Sequence, residues 1–218
     1  MPGIQAVVFD LDGTLLDSLK DIATAANRSL DEKGFPTHLP EQYARFVGDG
    51  IRQMVCRILP VSMRNESIVD EMLKRVRRHY NSTWKCNTRP YPGIHELLDC
   101  LQKRDVQLAV LSNKPQEIMA SQLSWFFPKA GFHVIAGARQ GIPLKPDPGA
   151  LLSVLQRMDC PPGSAMMLGD TAVDMQVARA AGAIAVGALW GFRDRQELLA
   201  AGADHLVAKP AEISALMD

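Results

Sequence analysis

Along the chain, short unbroken apolar runs alternate with longer stretches in which apolar residues recur every three or four positions. The runs are 6–10 (AVVFD), 106–111 (VQLAVL), 132–136 (FHVIA), 165–168 (AMML) and 183–187 (AIAVG). Such runs are what strands covered on both faces of a parallel sheet require, because neither face meets water. From residue 90 onward the intervals between runs are long enough for crossover helices. Ile94, Leu97, Leu98 and Leu101 fall at i, i+3, i+4 and i+7 behind Pro92 and Gly93, and supply one of them.

Before residue 90 the pattern changes: after the first strand only helical periodicity appears. Leu19, Ile22, Ala23, Ala26 and Leu30 form one apolar stripe, closed by Gly34 and Pro36, and Ile68, Met72, Val76 and Tyr80 form another. The expected fold class is α/β, a Rossmann-like doubly wound parallel sheet core with an inserted α-helical cap domain. Residues 1–15 and 88–218 make the core domain and 16–87 the cap. The basic cluster Lys74, Arg75, Arg77 and Arg78 lies on the second helix and reads as a solvated face.

Composition narrows the function more than the fold. At 218 residues, 47% apolar and 22% charged, the chain has the balance of a globular enzyme. Twenty-four Lys and Arg offset twenty-four Asp and Glu, so no global field draws it to nucleic acid or an anionic membrane, and any phosphate binding is local. Cys56, Cys86, Cys100 and Cys160 show neither C-x-x-C nor zinc spacing and read as reduced structural thiols. The N-terminus lacks a secretory pattern and no run approaches the ~20 apolar residues of a membrane span. A cytoplasmic monomer or homodimer acting on a small phosphorylated metabolite is the expectation.

In an open parallel sheet, ligands bind beyond the carboxyl ends of the strands, and four such ends carry suitable groups. Asp10-Leu11-Asp12-Gly13-Thr14 sets two carboxylates on a glycine turn. One carboxylate can attack phosphorus while the other protonates the leaving oxygen and later deprotonates water. A calcium loop would place its glycine sixth and follow a helix; Gly13 is fourth and follows a strand. Leu111-Ser112-Asn113-Lys114, with Pro115 at a first helical position, offers a hydroxyl and backbone N–H groups for an anion, or ordinary helix caps. Lys145-Pro146-Asp147-Pro148 presents a lysine that is either solvated surface or a cation screening phosphoryl charge from the nucleophile. In Gly169-Asp170-Thr171-Ala172-Val173-Asp174, the two aspartates would share a face on the opening turn of a helix. Asp170 there either caps the helix or, with Asp10 and a backbone carbonyl, holds Mg²⁺.

The order of these four motifs resembles the haloacid dehalogenase superfamily, and within it the phosphoglycolate phosphatase-like branch with a helical cap, nearly end to end. The resemblance implies a magnesium-dependent phosphatase with Asp10 as nucleophile and Asp12 as general acid and base, its backbone carbonyl also touching the metal. It implies that Ser112 binds the phosphoryl group, with Thr14 and Asn113 beside it, and that Lys145 pairs with Asp10 and the phosphate. Asp170 would ligate Mg²⁺ and Asp174 support its waters or the lysine, giving Asp10, Asp12, Asp170 and Asp174 as the metal set.

Phe46-Val47-Gly48-Asp49-Gly50-Ile51-Arg52 resembles the glycine-bearing substrate loop of that branch. Gly48 would admit close backbone approach and Arg52 would meet a substrate carboxylate, the alternative being a plain inter-helix turn. Relatives often carry Asn at position 49, and an inward-facing Asp49 would disfavour an anionic substrate. A metal-independent dehalogenase would need neither Asp12 nor Asp170, and a phosphonatase would need a Schiff-base lysine in the cap, where no lysine sits in a recognisable motif. The absence of G-x-G-x-x-G after the first strand speaks against a nucleotide-binding dehydrogenase. A β-phosphoglucomutase-like sugar phosphate mutase and a non-catalytic regulatory protein on the same fold are the remaining alternatives.

Overall fold

A computed structural model describes residues 3–217. Residues 1, 2 and 218, which the sequence assigned to the core, lie outside the described residues. In chain order the elements are β1 (Ala6–Phe9), β2 (Leu16–Asp17), α1 (Leu19–Asp31), α2 (Tyr43–Phe46), α3 (Ile51–Ile58), α4 (Glu66–Thr83), β3 (Arg89–Pro90) and α5 (Ile94–Lys103). There follow β4 (Gln107–Pro115), α6 (Gln116–Phe126), β5 (Phe132–Ala138), α7 (Pro148–Arg157), β6 (Ala165–Gly169), α8 (Ala172–Ala181), β7 (Ile184–Ala188), α9 (Arg195–Ala200) and β8 (His205–Val207).

Six parallel strands form one sheet in the order β5-β4-β1-β6-β7-β8, so β1 sits where the winding reverses. The apolar runs are continuous because their alternate residues enter two different cores. Val7 and Phe9 of β1, Leu108 and Val110 of β4, and Met166 and Leu168 of β6 meet Ile94, Leu97, Leu98 and Leu101 of α5 and Met119 and Leu123 of α6. Ala6, Val8, Ala109, Leu111, Ala165 and Met167 face the other way, onto Leu151, Val154 and Leu155 of α7 and Met175 and Ala178 of α8. The four cysteines are unpaired, and among the described residues no helix is long and apolar enough to cross a membrane.

Helices α1 to α4 pack around a third core of their own, built on Ala26, Leu30, Tyr43, Val55, Ile58, Met72 and Val76. Several expectations shift here. Residues 47–50 alone are loop, and Arg52 lies inside α3. Pro115 caps α6 rather than opening it. Two elements were not foreseen. Strand β8 is only three residues long, and the two-residue ladder of β2 with β3 pairs Leu16 with Pro90 and Asp17 with Arg89. That ladder joins the chain leaving the sheet to the chain returning to it.

Beside the ladder, Asp21 at the start of α1 is buried and accepts hydrogen bonds from Asn87 N and Nδ2 and from Thr88 N and Oγ1, at 2.7–3.1 Å. Burial raises the pKa of this carboxyl, but the four donors outweigh it and hold it below the ordinary range. Replacing Asp21 by Ala strands buried backbone donors and should cost about 2–4 kcal/mol at neutral pH. A carboxyl with a depressed folded pKa contributes fully above its unfolded value of about 3.9 and loses that contribution as pH falls through the folded value. Urea unfolding of wild type and Asp21→Ala should therefore differ at pH 7 and converge at strongly acid pH; a constant gap would refute the ionic origin.

Candidate active site

The site assembles at the carboxyl end of β1. Asp10 follows the strand, with its N–H donating to Leu168 O at 2.9 Å across to β6. The loop then turns at Gly13, where φ is +89° and the N–H returns to Leu16 O at 2.8 Å. At the end of β6, Asp170 precedes α8 instead of sharing its first turn with Asp174, because Thr171 is the N-cap. Asp174, at the third helical position, reaches back to accept from Thr171 N (3.0 Å) and Thr171 Oγ1 (2.6 Å). This capping box fixes the Asp174 carboxylate toward Asp10. Lys145, from the loop before α7, closes the group: its Nζ donates to Asp10 Oδ1 at 2.8 Å and to Asp174 Oδ1 at 2.6 Å.

Carboxylate oxygens of Asp10, Asp170 and Asp174 lie within 4.8 Å of one another, all buried. Three negative charges therefore face one ammonium. Burial, then Asp174 and Asp10, push the Asp170 carboxyl well above the ordinary range, against hydrogen bonds from Phe192 N (2.8 Å) and Thr14 Oγ1 (2.9 Å). Burial also raises Asp174, opposed by Lys145. On Lys145 burial pulls the pKa down, but Asp10 and Asp174 more than offset it and leave the ammonium firmly charged. The uncompensated pair of buried charges on hard oxygen donors fits a divalent cation, which Asp10, Asp170 and Asp174 could hold.

Asp12 takes a different position. Its Oδ1 accepts from Ser18 Oγ at 2.5 Å and Lys114 Nζ at 2.6 Å, while its Oδ2 has no partner among the described residues. Its carboxylate stays outside the three-aspartate cluster, which leaves the backbone carbonyl for any metal contact. Asp12, Asp10, Ser112 and Gly48 line a cleft of about 810 Å³ between the sheet and the helical insert. Thr14 does not: its hydroxyl is buried against Asp170. The Asn113 amide is spent on Gly48 O (3.1 Å) and on both the N–H and the carbonyl of Lys145 (2.9 Å each), so it braces the loops instead of meeting a phosphate.

The structure does not bring Arg52 to the cleft. Its guanidinium pairs with Asp70 of α4 at 2.5 Å on the exposed side of the insert. Asp49 likewise turns away, neutralised by Arg57, so its charge does not oppose an anion in the cleft. Sequence reasoning passed over three cations that do face it. They are Lys114, within the Leu111–Lys114 motif, Arg77, in the basic cluster of α4 that reads as a solvated face, and Arg139, directly after β5. The position of Arg139 just past a strand end was a usable signal.

The model of the haloacid dehalogenase-like hydrolases matches residues 7–188. A phosphoglycolate phosphatase from Aquifex aeolicus is 32% identical over 215 residues, 99% of this chain and 97% of that one. Another from Nitrosospira multiformis is 33% identical over 219 residues, covering 98% and 96%. Among solved structures, a haloacid dehalogenase-like hydrolase from Streptococcus pneumoniae superposes with a TM-score of 0.88 at 25% identity and full coverage of both chains. The chain belongs to the haloacid dehalogenase-like hydrolase family. Within it, the chain is a phosphatase, a phosphoric monoester hydrolase.

Gly191 shows how tightly the cluster is enclosed: a Cβ there would fall 2.2 Å from Asp170 Cβ and 2.4 Å from Gly13 O. Gly191→Ala must displace Asp170, so its activity should require about 10–100-fold more divalent cation for half-maximal rate. A cation titration of wild type and variant, each checked for folding by circular dichroism, reads this shift, and identical titrations would refute it.

Proposed function

We propose that the chain is a Mg²⁺-dependent phosphatase that hydrolyses a small phosphate monoester of the phosphoglycolate type through an aspartyl phosphate on Asp10. The observation that carries this reading is the Lys145 ammonium bridging Asp10 and Asp174, with Asp12 across the loop lining the same cleft. Phosphatases named for phosphoglycolate align with nearly the whole chain, and that supports the substrate class.

Asp10 attacks phosphorus with its carboxylate while Asp12, through its unpartnered Oδ2, protonates the departing ester oxygen. Lys145 pairs with Asp10 and aims it, and the Ser112 hydroxyl in the second half of β4 lines the cleft, where it can donate to a phosphoryl oxygen. A water entering after the alcohol leaves gives its proton to Asp12 and attacks phosphorus, which breaks the acyl-phosphate O–P bond, returns the Asp10 carboxylate and releases inorganic phosphate. Mg²⁺ held by Asp10, Asp170 and Asp174, with the Asp12 carbonyl, would neutralise charge on the phosphoryl oxygens. The insert excludes water from the cleft and shapes the space for the leaving group.

Purified protein with Mg²⁺ should release phosphate from members of a panel of esters including phosphoglycolate, sugar phosphates and nucleoside monophosphates. A chelator should abolish release, and Asp10→Asn should lower it by at least about 10³-fold. Release surviving in Asp10→Asn would sink the aspartyl-phosphate mechanism. Isomerisation of a β-sugar phosphate without net hydrolysis would replace the phosphatase by a mutase.

A further inference from the structure

With Arg52 turned onto Asp70, the cation set beside the proposed general acid is Lys114. Its ammonium is held by Asp12 Oδ1 at 2.6 Å and by the Tyr80 hydroxyl at 2.8 Å, and it rests 4.8 Å over the Tyr80 ring. Gln122 Nε2 fixes that hydroxyl in turn, at 3.1 Å. An ammonium has three donors, so one N–H of this buried, immobilised group has no acceptor among the described residues, while the residue lines the cleft. A side chain already held in place loses little entropy on binding a further anion.

We propose that Lys114 is a specificity-determining residue whose free N–H binds a carboxylate carried on the ester's own carbon, selecting phosphate monoesters of small 2-hydroxy acids. This rests on the phosphatase reading above. The general acid must come within about 2.6–3.2 Å of the leaving oxygen, which puts the neighbouring Lys114 ammonium roughly 6 Å from it. That is the reach of such a carboxylate plus one hydrogen bond, about 2.8 Å long. Arg77 and Arg139 also line the cleft, without partners among the described residues, but belong to α4 and to the loop after β5. They would suit a longer leaving group with a distant charge.

The test compares 2-phosphoglycolate with ethyl phosphate, which has the same carbon count and no carboxylate, using the full chain with Mg²⁺. In Lys114→Met the ratio of kcat/KM values between the two esters should fall about 10- to 100-fold, through KM for phosphoglycolate. Lys114→Arg should restore part of it, and Arg77→Ala should leave the ratio alone. Any loss common to both esters reports the Lys114 hold on Asp12, or folding, and cancels in the ratio. An unchanged ratio in Lys114→Met overturns the proposal, as does a collapse confined to Arg77→Ala. If wild type turns over neither ester, the phosphoglycolate-type substrate reading falls separately. Calorimetric binding of phosphoglycolate to Asp10→Asn then decides: at least 10-fold weaker binding on adding Lys114→Met supports the subsite, and equal binding overturns it.

Discussion

One buried ammonium organises this protein's chemistry. Lys145 Nζ lies 2.8 Å from Asp10 and 2.6 Å from Asp174, with side-chain exposures of 1%, 10% and 0%. Carboxylates so deep in the fold would be costly to ionise alone, and a buried ion pair is tolerable only when its remaining lone pairs and protons are satisfied. Part of that condition is met by Thr171, which donates twice to the second oxygen of Asp174, while the Asp10 N–H on Leu168 O and the Asn113 amide on the Lys145 backbone fix where the two partner side chains begin. Four separate chain segments are thereby tied at one point, the place where the sheet reverses its winding. The tie remains electrically incomplete, since Asp170 adds a third carboxylate, and that deficit is what makes the point suited to a divalent cation and a phosphate.

Much of this was legible in the sequence because it depends on local pattern. A strand buried on both faces must be apolar nearly throughout, so β1, β4, β6 and β7 announced themselves, as did the half-buried edge strand β5 by its apolar run, and polar residues at or just past their ends marked the site. Short elements carried no such signal. Strand β8 has three residues and the β2–β3 ladder two per strand, too few for any periodicity, and both owe their existence to neighbours distant in sequence. Side-chain direction was equally hidden. Arg52 and Thr14 belong to the right motifs, yet one found Asp70 and the other Asp170, partners 18 and 156 residues away. Conversely Arg77 sat in a basic cluster whose members Arg75 and Arg78 do pair with Glu32 at the surface, while Arg77 itself turns to the cleft.

The insert and the core meet through contacts of two kinds, and their difference bears on how the enzyme selects a substrate. At the loop between α2 and α3 the core recognises backbone only: Asn113 Nδ2 donates to Gly48 O and Arg193 Nη2 to Val47 O at 2.9 Å. Gly48 has φ +126°, and a Cβ there would come within 3.6 Å of Thr171. These contacts hold the loop over the site by its backbone, and its one charged side chain, Asp49, is withdrawn onto Arg57.

At the other contact a side chain is read. Tyr80 of α4 accepts from Lys114 and Gln122 of the core, and burial keeps its hydroxyl protonated by raising its pKa. The insert thus touches Lys114, Lys114 touches Asp12, and Asp12 lines the cleft. Seating α4 against the core is therefore what sets the free N–H of Lys114 and the free oxygen of Asp12 together at the cleft. Recognition by the loop would place the cation on a backbone-held turn; the proposed subsite places it near a strand end and uses the insert to orient it. If Lys114 binds the substrate's carboxylate as proposed, selection of the leaving group rests on the same sheet that carries Asp10, which couples the position of that carboxylate to the position of phosphorus more tightly than a side chain on the loop would.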